Sequence, residues 1–94
     1  MKQRVVVQAI IEDEGSILLL RRSQGRPGIV GKLELPGGTL DDDEQPDDGL
    51  RRHLKNDVGL APEALQLMDA VSLQNREEGD ITHIMIVYRV VGIN

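Results

Sequence analysis

The chain has 94 residues and a formal net charge of −5, with no cysteine, no phenylalanine, no tryptophan and one tyrosine. This length predicts one small domain, whose core must consist of Val, Ile and Leu. The missing cysteines exclude disulfides, thiolate catalysis and cysteine-based zinc sites, and they are consistent with a cytoplasmic location. The charge and the scarcity of aromatic rings argue against binding duplex DNA or stacking on single strands. With no long apolar run at the N-terminus, we expect neither a signal peptide nor a membrane span.

The first part of the chain predicts short β elements joined by turns. Strands are indicated by runs of Val, Ile and Leu, whereas glycine and proline mark turns and loops. In chain order we predict a strand over 4–11, a turn over 12–15, a return strand over 17–22, a loop over 23–31 and an extended piece over 33–35 that ends at Pro36-Gly37-Gly38.

Residues 45–58 predict the one convincing helix. Pro46 suits the first turn, and the acidic residues 47–48 complement the positive end of the helix dipole. Gly59 predicts the C-terminal stop. Gly49 inside the helix costs about 1 kcal/mol relative to alanine unless close packing requires it.

The last part of the chain predicts two more strands. Residues 65–73 predict a strand, residues 74–80 a polar loop, and residues 81–91, apolar on both faces, a central strand. The order β-β-β-α-β-β predicts an α+β domain with a mixed sheet. A mixed sheet needs cover on both faces, and one helix covers one face. We therefore expect either a fragment or a homodimer, with the last strand at or near the contact through its open face or its edge.

The predicted helix presents two different faces. At 100° per residue, one side carries apolar residues that pack on the sheet, and an arc of about 140° on the other side carries polar residues that face a cleft or solvent. The apolar side holds Leu50, Leu54 and Val58, and the polar side holds Arg52, His53, Asn56 and Asp57. Six of the eight residues 41–48 are acidic. This acidic patch is either a solvated loop or a means of attracting a divalent cation.

This stretch resembles the Nudix box of the MutT-like hydrolases, which reads G-x5-E-x7-R-E-U-x-E-E-x-G-U with U a bulky aliphatic residue. The spacing matches throughout, and the segments LELPGG and ILLLRR resemble the parts that precede the box. The positions that match in type are Gly38, Glu44, Arg52, Leu54, Gly59 and Leu60. The resemblance covers nearly the whole chain. It implies an α/β/α sandwich with a mixed sheet and one box helix, and it implies a further strand and second helix that this chain lacks, as if shortened at its C-terminus.

The resemblance also implies a chemistry. Family members hydrolyse nucleoside diphosphates linked to another group, using Mg²⁺ or Mn²⁺ held by box glutamates and a glycine carbonyl. Here His53 offers a nitrogen, Asn56 a neutral amide oxygen and Asp57 a carboxylate that is one methylene shorter. Mg²⁺ prefers hard oxygen ligands, whereas nitrogen suits Zn²⁺, Ni²⁺ or Cu²⁺ better. Three anionic ligands have become one, so we expect weak Mg²⁺ binding.

The resemblance assigns candidate roles to individual residues. The candidate metal ligands are Gly38, His53, Asn56 and Asp57, and the candidate catalytic residues are Glu44 and Asp57. Glu44 and Arg52 form the expected structural brace. Arg21 and Arg22 are candidate contacts to a substrate phosphate, of which one is expected to be solvated. The hypotheses that remain open are a slow hydrolase with altered metal use, a non-catalytic module that binds a nucleotide-like ligand or a partner, and a decaying copy without function.

Other polar residues have a simpler interpretation beside a functional one. His53 is an exposed helix residue or a ligand, and His83 packs at a sheet end unless it forms a metal pair with His53. Tyr88 is expected in the core. The acidic residues Glu77, Glu78 and Asp80 solvate a hairpin loop, or one of them replaces the catalytic base.

Overall fold

The computed structural model describes residues 2–22, 30–75 and 79–93. The elements in chain order are β1 (Lys2–Ile10), β2 (Glu12–Asp13), β3 (Ser16–Ile17), β4 (Leu20–Arg21), β5 (Leu33–Glu34), β6 (Gly37–Thr39), α1 (Pro46–Val58), β7 (Pro62–Asn75) and β8 (Ile81–Ile93). Four of them form the main sheet in the order β6-β1-β8-β7. Strands β1 and β8 are parallel and the other two pairs are antiparallel. The predicted mixed sheet with a single helix is confirmed within the described residues.

Strand β8 occupies the predicted central position. Its residues pair with β1 on one side, as in Val7 opposite Ile86, and with β7 on the other, as in Ala70 opposite Ile86. Both of its edges are therefore occupied, and the expectation that its edge could pair with another chain is wrong. The edge strands of this sheet are β6 and β7, and β7 has an irregularity between Leu67 and Asp69.

The core lies between α1 and the sheet. Its fully buried side chains are aliphatic, as the composition predicts, and each buried leucine contributes about 1.5–3 kcal/mol to folding. The core consists of Val7, Ala9, Ile11, Leu50 and Leu54, and Val58, Ile86, Tyr88 and Val90 are among the partly buried residues packed against it. The predicted apolar face of the helix and the core position of Tyr88 are confirmed. Burial and the charge of Asp47 raise the pKa of the Tyr88 phenol.

The helix begins and ends as the sequence predicts. Gln45 is the extended N-cap residue, Pro46 follows it, and Gly59 adopts the left-handed conformation after the last turn. The amide of Gly59 donates to the carbonyl of Lys55 and the amide of Leu60 donates to that of Leu54, both at 3.2 Å, which satisfies carbonyls that the helix end would otherwise leave free.

Gly49 meets the close-packing condition under which a helical glycine is favourable. It is buried, and a β-carbon at this position would collide with Cδ2 of Leu40 and lie 2.8 Å from Oε1 of Glu44. The absent side chain therefore lets the acidic loop pack directly on the helix.

Two sequence predictions need correction in the region before the helix. The return strand predicted over 17–22 is divided, because β3 pairs with β2 whereas β4 pairs with β5. The turn predicted at Pro36-Gly37-Gly38 contains instead the start of β6, which pairs with β1 in the main sheet. A β-carbon at Gly37 would collide with the carbonyl oxygen of Val7, so this pairing requires glycine. The residues 23–29 of the predicted loop lie outside the described residues.

The sheet face opposite α1 is open among the described residues. Because paired residues point to the same side, the register places alternate residues of three strands on this face. They are Arg4, Val6 and Gln8 of β1, His83, Met85 and Val87 of β8, and Asp69, Val71 and Leu73 of β7. Val71 and Leu73 are 46% and 58% exposed. We call this set the open face. No helix in the described part of the chain is long and apolar enough to cross a membrane.

Candidate functional site

The loop before α1 is fixed to the helix by a bidentate ion pair. Arg52 donates from Nε to Oε2 of Glu44 at 2.9 Å and from Nη2 to Oε1 at 3.0 Å. The amide of Asp41 donates to the same carboxylate at 3.0 Å. The hydrogen bonds from Arg52 and from this amide hold the pKa of Glu44 at about 2, below its ordinary 4.5. The structure therefore brings Glu44 and Arg52 together as a brace would require.

His53 is engaged with the backbone of β6. Its Nε2 lies 2.9 Å from the carbonyl oxygen of Thr39, so a hydrogen bond there requires the proton on Nε2. The ring packs against Gly38, where a β-carbon would lie 2.7 Å from Nε2 and 2.8 Å from Nδ1. The remaining nitrogen, Nδ1, lies 3.8 Å from Oδ2 of Asp57, one turn further along the helix. His53 is thus partly buried rather than a freely exposed helix residue.

These donors do not fit a magnesium centre of the kind that the resemblance implies. Nε2 of His53 faces the carbonyl oxygen of Thr39, which leaves Nδ1 and the carboxylate of Asp57 as the adjacent groups that could bind a metal. Asn56 is exposed and supplies only a neutral amide. In the described ranges, no group of three or more His, Cys, Asp or Glu side chains is placed to hold a metal ion.

The alternative in which His53 and His83 form a metal pair does not agree with the structure. His83 lies on the open face, opposite Leu73, whereas His53 lies on the helix that covers the other face of the sheet. The sheet therefore separates the two rings, and a His53–His83 metal pair is wrong. Glu77 and Glu78 lie outside the described residues, and Asp80 is exposed beside the start of β8.

The two candidate phosphate contacts have different environments. Arg22 forms a bidentate pair with Glu34, at 2.5 Å from Nε to Oε1 and 3.3 Å from Nη2 to Oε2. This hydrogen bond and the charge of Glu34 raise the pKa of Arg22. Arg21 donates from Nη1 to the carbonyl oxygen of Gly31 at 2.7 Å. Among the described residues, no carboxylate forms an ion pair with Arg21.

A cleft of about 280 Å³ lies between the β4–β5 pair and the end of α1. It is lined by Leu20, Arg21, Arg22, Glu34, Leu35, Gly37 and Asp57. The structure thus brings the two arginines and Asp57 to one cleft, whereas Glu44 is held by Arg52. Sequence reasoning did not identify Glu34 or Thr39 as parts of the site. Glu34 could have been found by aligning ILLLRR with LELPGG as one hairpin, but Thr39 acts through its backbone and leaves no side-chain signal.

Comparison with known proteins agrees with this fold and loop–helix arrangement. The model of the NUDIX domain family matches residues 1–92, and the chain belongs to this family. The structure is similar over its whole length to a crystal structure of a MutT NUDIX hydrolase from Burkholderia pseudomallei, with a TM-score of 0.87, 26% identity and coverage of 70% of that chain.

Two curated relatives show the same affiliation. The chain is 30% identical over 89 residues to an ADP-ribose pyrophosphatase of Methanocaldococcus jannaschii, a match of 94% of this chain and 52% of that protein. It is 27% identical over 74 residues to an 8-oxo-dGTP diphosphatase of Escherichia coli K12, a match of 79% of this chain and 57% of that protein. The chain therefore spans about half the length of these relatives.

Proposed function

We propose that the chain recognises nucleoside diphosphate derivatives through its Nudix fold and that its Mg²⁺- or Mn²⁺-dependent hydrolysis is weak or lost. The observation that carries this proposal is the engagement of His53, whose Nε2 faces the Thr39 carbonyl at 2.9 Å. Nudix hydrolases generally use a divalent metal. With one carboxylate beside one histidine nitrogen, the helix lacks the negative charge that makes a hard cation bind tightly.

The proposed substrate class is supported by the relatives. Their names describe cleavage of ADP-ribose and of 8-oxo-dGTP, which share a nucleoside linked through phosphates. Asp57 is the remaining box carboxylate in the cleft and is the residue proposed for any residual catalysis or metal binding. Glu44, also a candidate catalytic residue, is proposed to act as a brace with Arg52, because both of its oxygens accept hydrogen bonds from that side chain.

A second candidate function is a non-catalytic module that binds a nucleotide-like ligand. The same donor set favours it, because a cleft can keep its shape and its arginines after the metal ligands are replaced. The Glu44–Arg52 pair supports retention of that shape.

In both cases we propose a single cytoplasmic domain that forms a homodimer through the open face, since exposed Val71 and Leu73 favour a partner there.

The experiment compares turnover with binding. Hydrolysis of ADP-ribose and 8-oxo-dGTP is measured with Mg²⁺ and with Mn²⁺, in the wild type and in Asp57→Asn, and binding of ADP is followed by NMR. We expect ADP binding with little or no turnover. If the wild type hydrolyses either compound rapidly and Asp57→Asn abolishes this activity, the proposal of weak or lost hydrolysis is wrong.

A further inference from the structure

We infer that the cleft binds the diphosphate group directly through Arg21, without a bridging divalent cation. The inference rests on the proposed function, since it concerns how the same cleft holds a nucleoside diphosphate. Its starting point is the different pairing of two neighbouring arginines. Arg22 is neutralised by Glu34 at 2.5 Å, whereas Arg21 pairs with a neutral carbonyl.

Arg21 keeps most of its capacity to bind an anion. A guanidinium has five N–H donors in a planar fork, and the contact with Gly31 uses Nη1. The remaining donors can engage phosphate oxygens in the bidentate geometry that arginine favours. The 2.7 Å bond to Gly31 also limits the motion of the side chain, so less conformational entropy is lost when an anion binds.

The charges of the described lining favour direct binding of an anion. Among the described residues, the ionisable ones that line the cleft are Arg21, Arg22, Glu34 and Asp57, and their formal charges cancel. Glutamates at positions 53 and 56 would add two negative charges beside the cleft, and an anion would then need a metal ion to offset the repulsion. With histidine and asparagine at these positions, Asp57 is the one box carboxylate that repels the anion, and the other lining carboxylate, Glu34, is paired with Arg22.

The size of the cleft agrees with recognition of the phosphates. Pockets that enclose a whole ligand measure about 300–1,000 Å³. The cleft measures about 280 Å³, close to the lower end of this range, which is room for a diphosphate. The apolar lining residues Leu20 and Leu35 form part of its walls.

The test measures the dissociation constant of ADP by calorimetry in EDTA and again with Mg²⁺. Direct binding predicts that ADP binds in EDTA and that Arg21→Gln weakens this binding roughly tenfold, the effect of losing charge-assisted hydrogen bonds. Glu34→Gln frees Arg22 and is expected to tighten binding. The control Lys2→Gln removes one positive charge from an exposed residue outside the cleft and is expected to leave the constant within about twofold.

The direction in which Asp57→Asn changes the affinity for ADP distinguishes the two modes of binding. If the anion binds directly, removing this carboxylate relieves repulsion and tightens ADP binding in EDTA. If a cation bridges protein and phosphate, the same variant weakens binding and ADP binds only with Mg²⁺. That second result overturns the inference and leaves the proposed function standing. Absence of ADP binding under both conditions overturns the proposed function as well.

Discussion

The imidazole of His53 lies against the backbone of Gly38, with no room for a β-carbon between them. A β-carbon at position 38 would lie 2.7 Å from Nε2 and 2.8 Å from Nδ1, closer than real β-carbons approach other atoms. Nε2 of the same ring is not available to coordinate a metal ion, because this nitrogen faces the carbonyl oxygen of Thr39. His53, which stands where the box has its first glutamate, therefore connects α1 to β6. It makes a structural contact at a position that the family uses for a metal ligand.

This contact predicts the effect of Gly38→Ala. Gly38 does not have a positive φ, so alanine is compatible with its backbone and the cost arises from the collision with the ring. We expect the free energy of unfolding to fall by about 1–3 kcal/mol, as for other overpacked sites, when measured by urea denaturation. The double variant with His53→Ala is the control, because it removes the ring. If Gly38→Ala destabilises the protein equally in both backgrounds, the ring is not the cause.

The Glu44–Arg52 pair predicts a pH dependence of stability. The folded-state pKa of Glu44 is about 2, below the ordinary value of 4.5. A lowered pKa means that the pair stabilises the fold above pH 4.5 and that this contribution is lost as pH falls towards 2. Glu44→Gln should therefore melt below the wild type at pH 7, and the difference should narrow between pH 4.5 and 2. Circular dichroism measures both melting temperatures.

Arg52→Gln supplies the control for this pH dependence. Without Arg52, the largest cause of the lowered pKa is absent, so Glu44→Gln should have a much smaller effect in this background. A pH-dependent difference that persists undiminished in the Arg52→Gln background would show that another group lowers the pKa of Glu44.

The helix could be predicted because its signals are local, whereas the strands around the site depend on distant contacts. Pro46 and Gly59 mark the helix ends within the helix sequence itself. Strand β6 has no such signal, since Gly37 and Gly38 suggest a turn and only the approach of Val7 shows why glycine is required. The division of the predicted return strand similarly depends on where β2 ends and β5 begins.

The candidate site shows the same division between local and distant information. Helical spacing predicts that His53 and Asp57 lie on one side of α1. In the structure Nδ1 of His53 lies 3.8 Å from Oδ2 of Asp57. Helical spacing could not predict the contacts that His53 and Arg22 make with residues of other elements. The carbonyl of Thr39 and the carboxylate of Glu34 reach His53 and Arg22 only after the strands have paired. Sequence position alone therefore could not show which arginine remains available to an anion.

Restoring the three box glutamates should increase metal-dependent hydrolysis. The variant His53→Glu/Asn56→Glu/Asp57→Glu places three carboxylates on the helix face that now carries one, so Mg²⁺ should bind more tightly. We expect hydrolysis of ADP-ribose or 8-oxo-dGTP with Mg²⁺ to rise at least about tenfold, which corresponds to 1.4 kcal/mol in the barrier.

The matched control for this variant carries glutamine at the same three positions. Glutamine has the same length as glutamate but no charge, so it separates the effect of charge from the loss of the His53–Thr39 contact. Equal activity in the glutamate and glutamine variants would show that ligand charge does not limit turnover. Rapid turnover by the unmodified chain would show that other residues already supply the ligands.

The open face predicts self-association. Val71 and Leu73 are 46% and 58% exposed, they lie on the edge strand β7, and α1 covers the other side of the sheet. We expect a homodimer at micromolar concentration in sedimentation velocity experiments. Burial of such side chains contributes about 1.5–3 kcal/mol each, so Val71→Lys and Leu73→Lys should each raise the dimer dissociation constant at least about tenfold. Leu33→Lys, which adds the same charge at a 53% exposed leucine outside the main sheet, should leave the dimer intact. A wild type that sediments as a stable monomer would contradict the prediction, and it would mean that the mixed polar and apolar composition of the open face suffices for solubility.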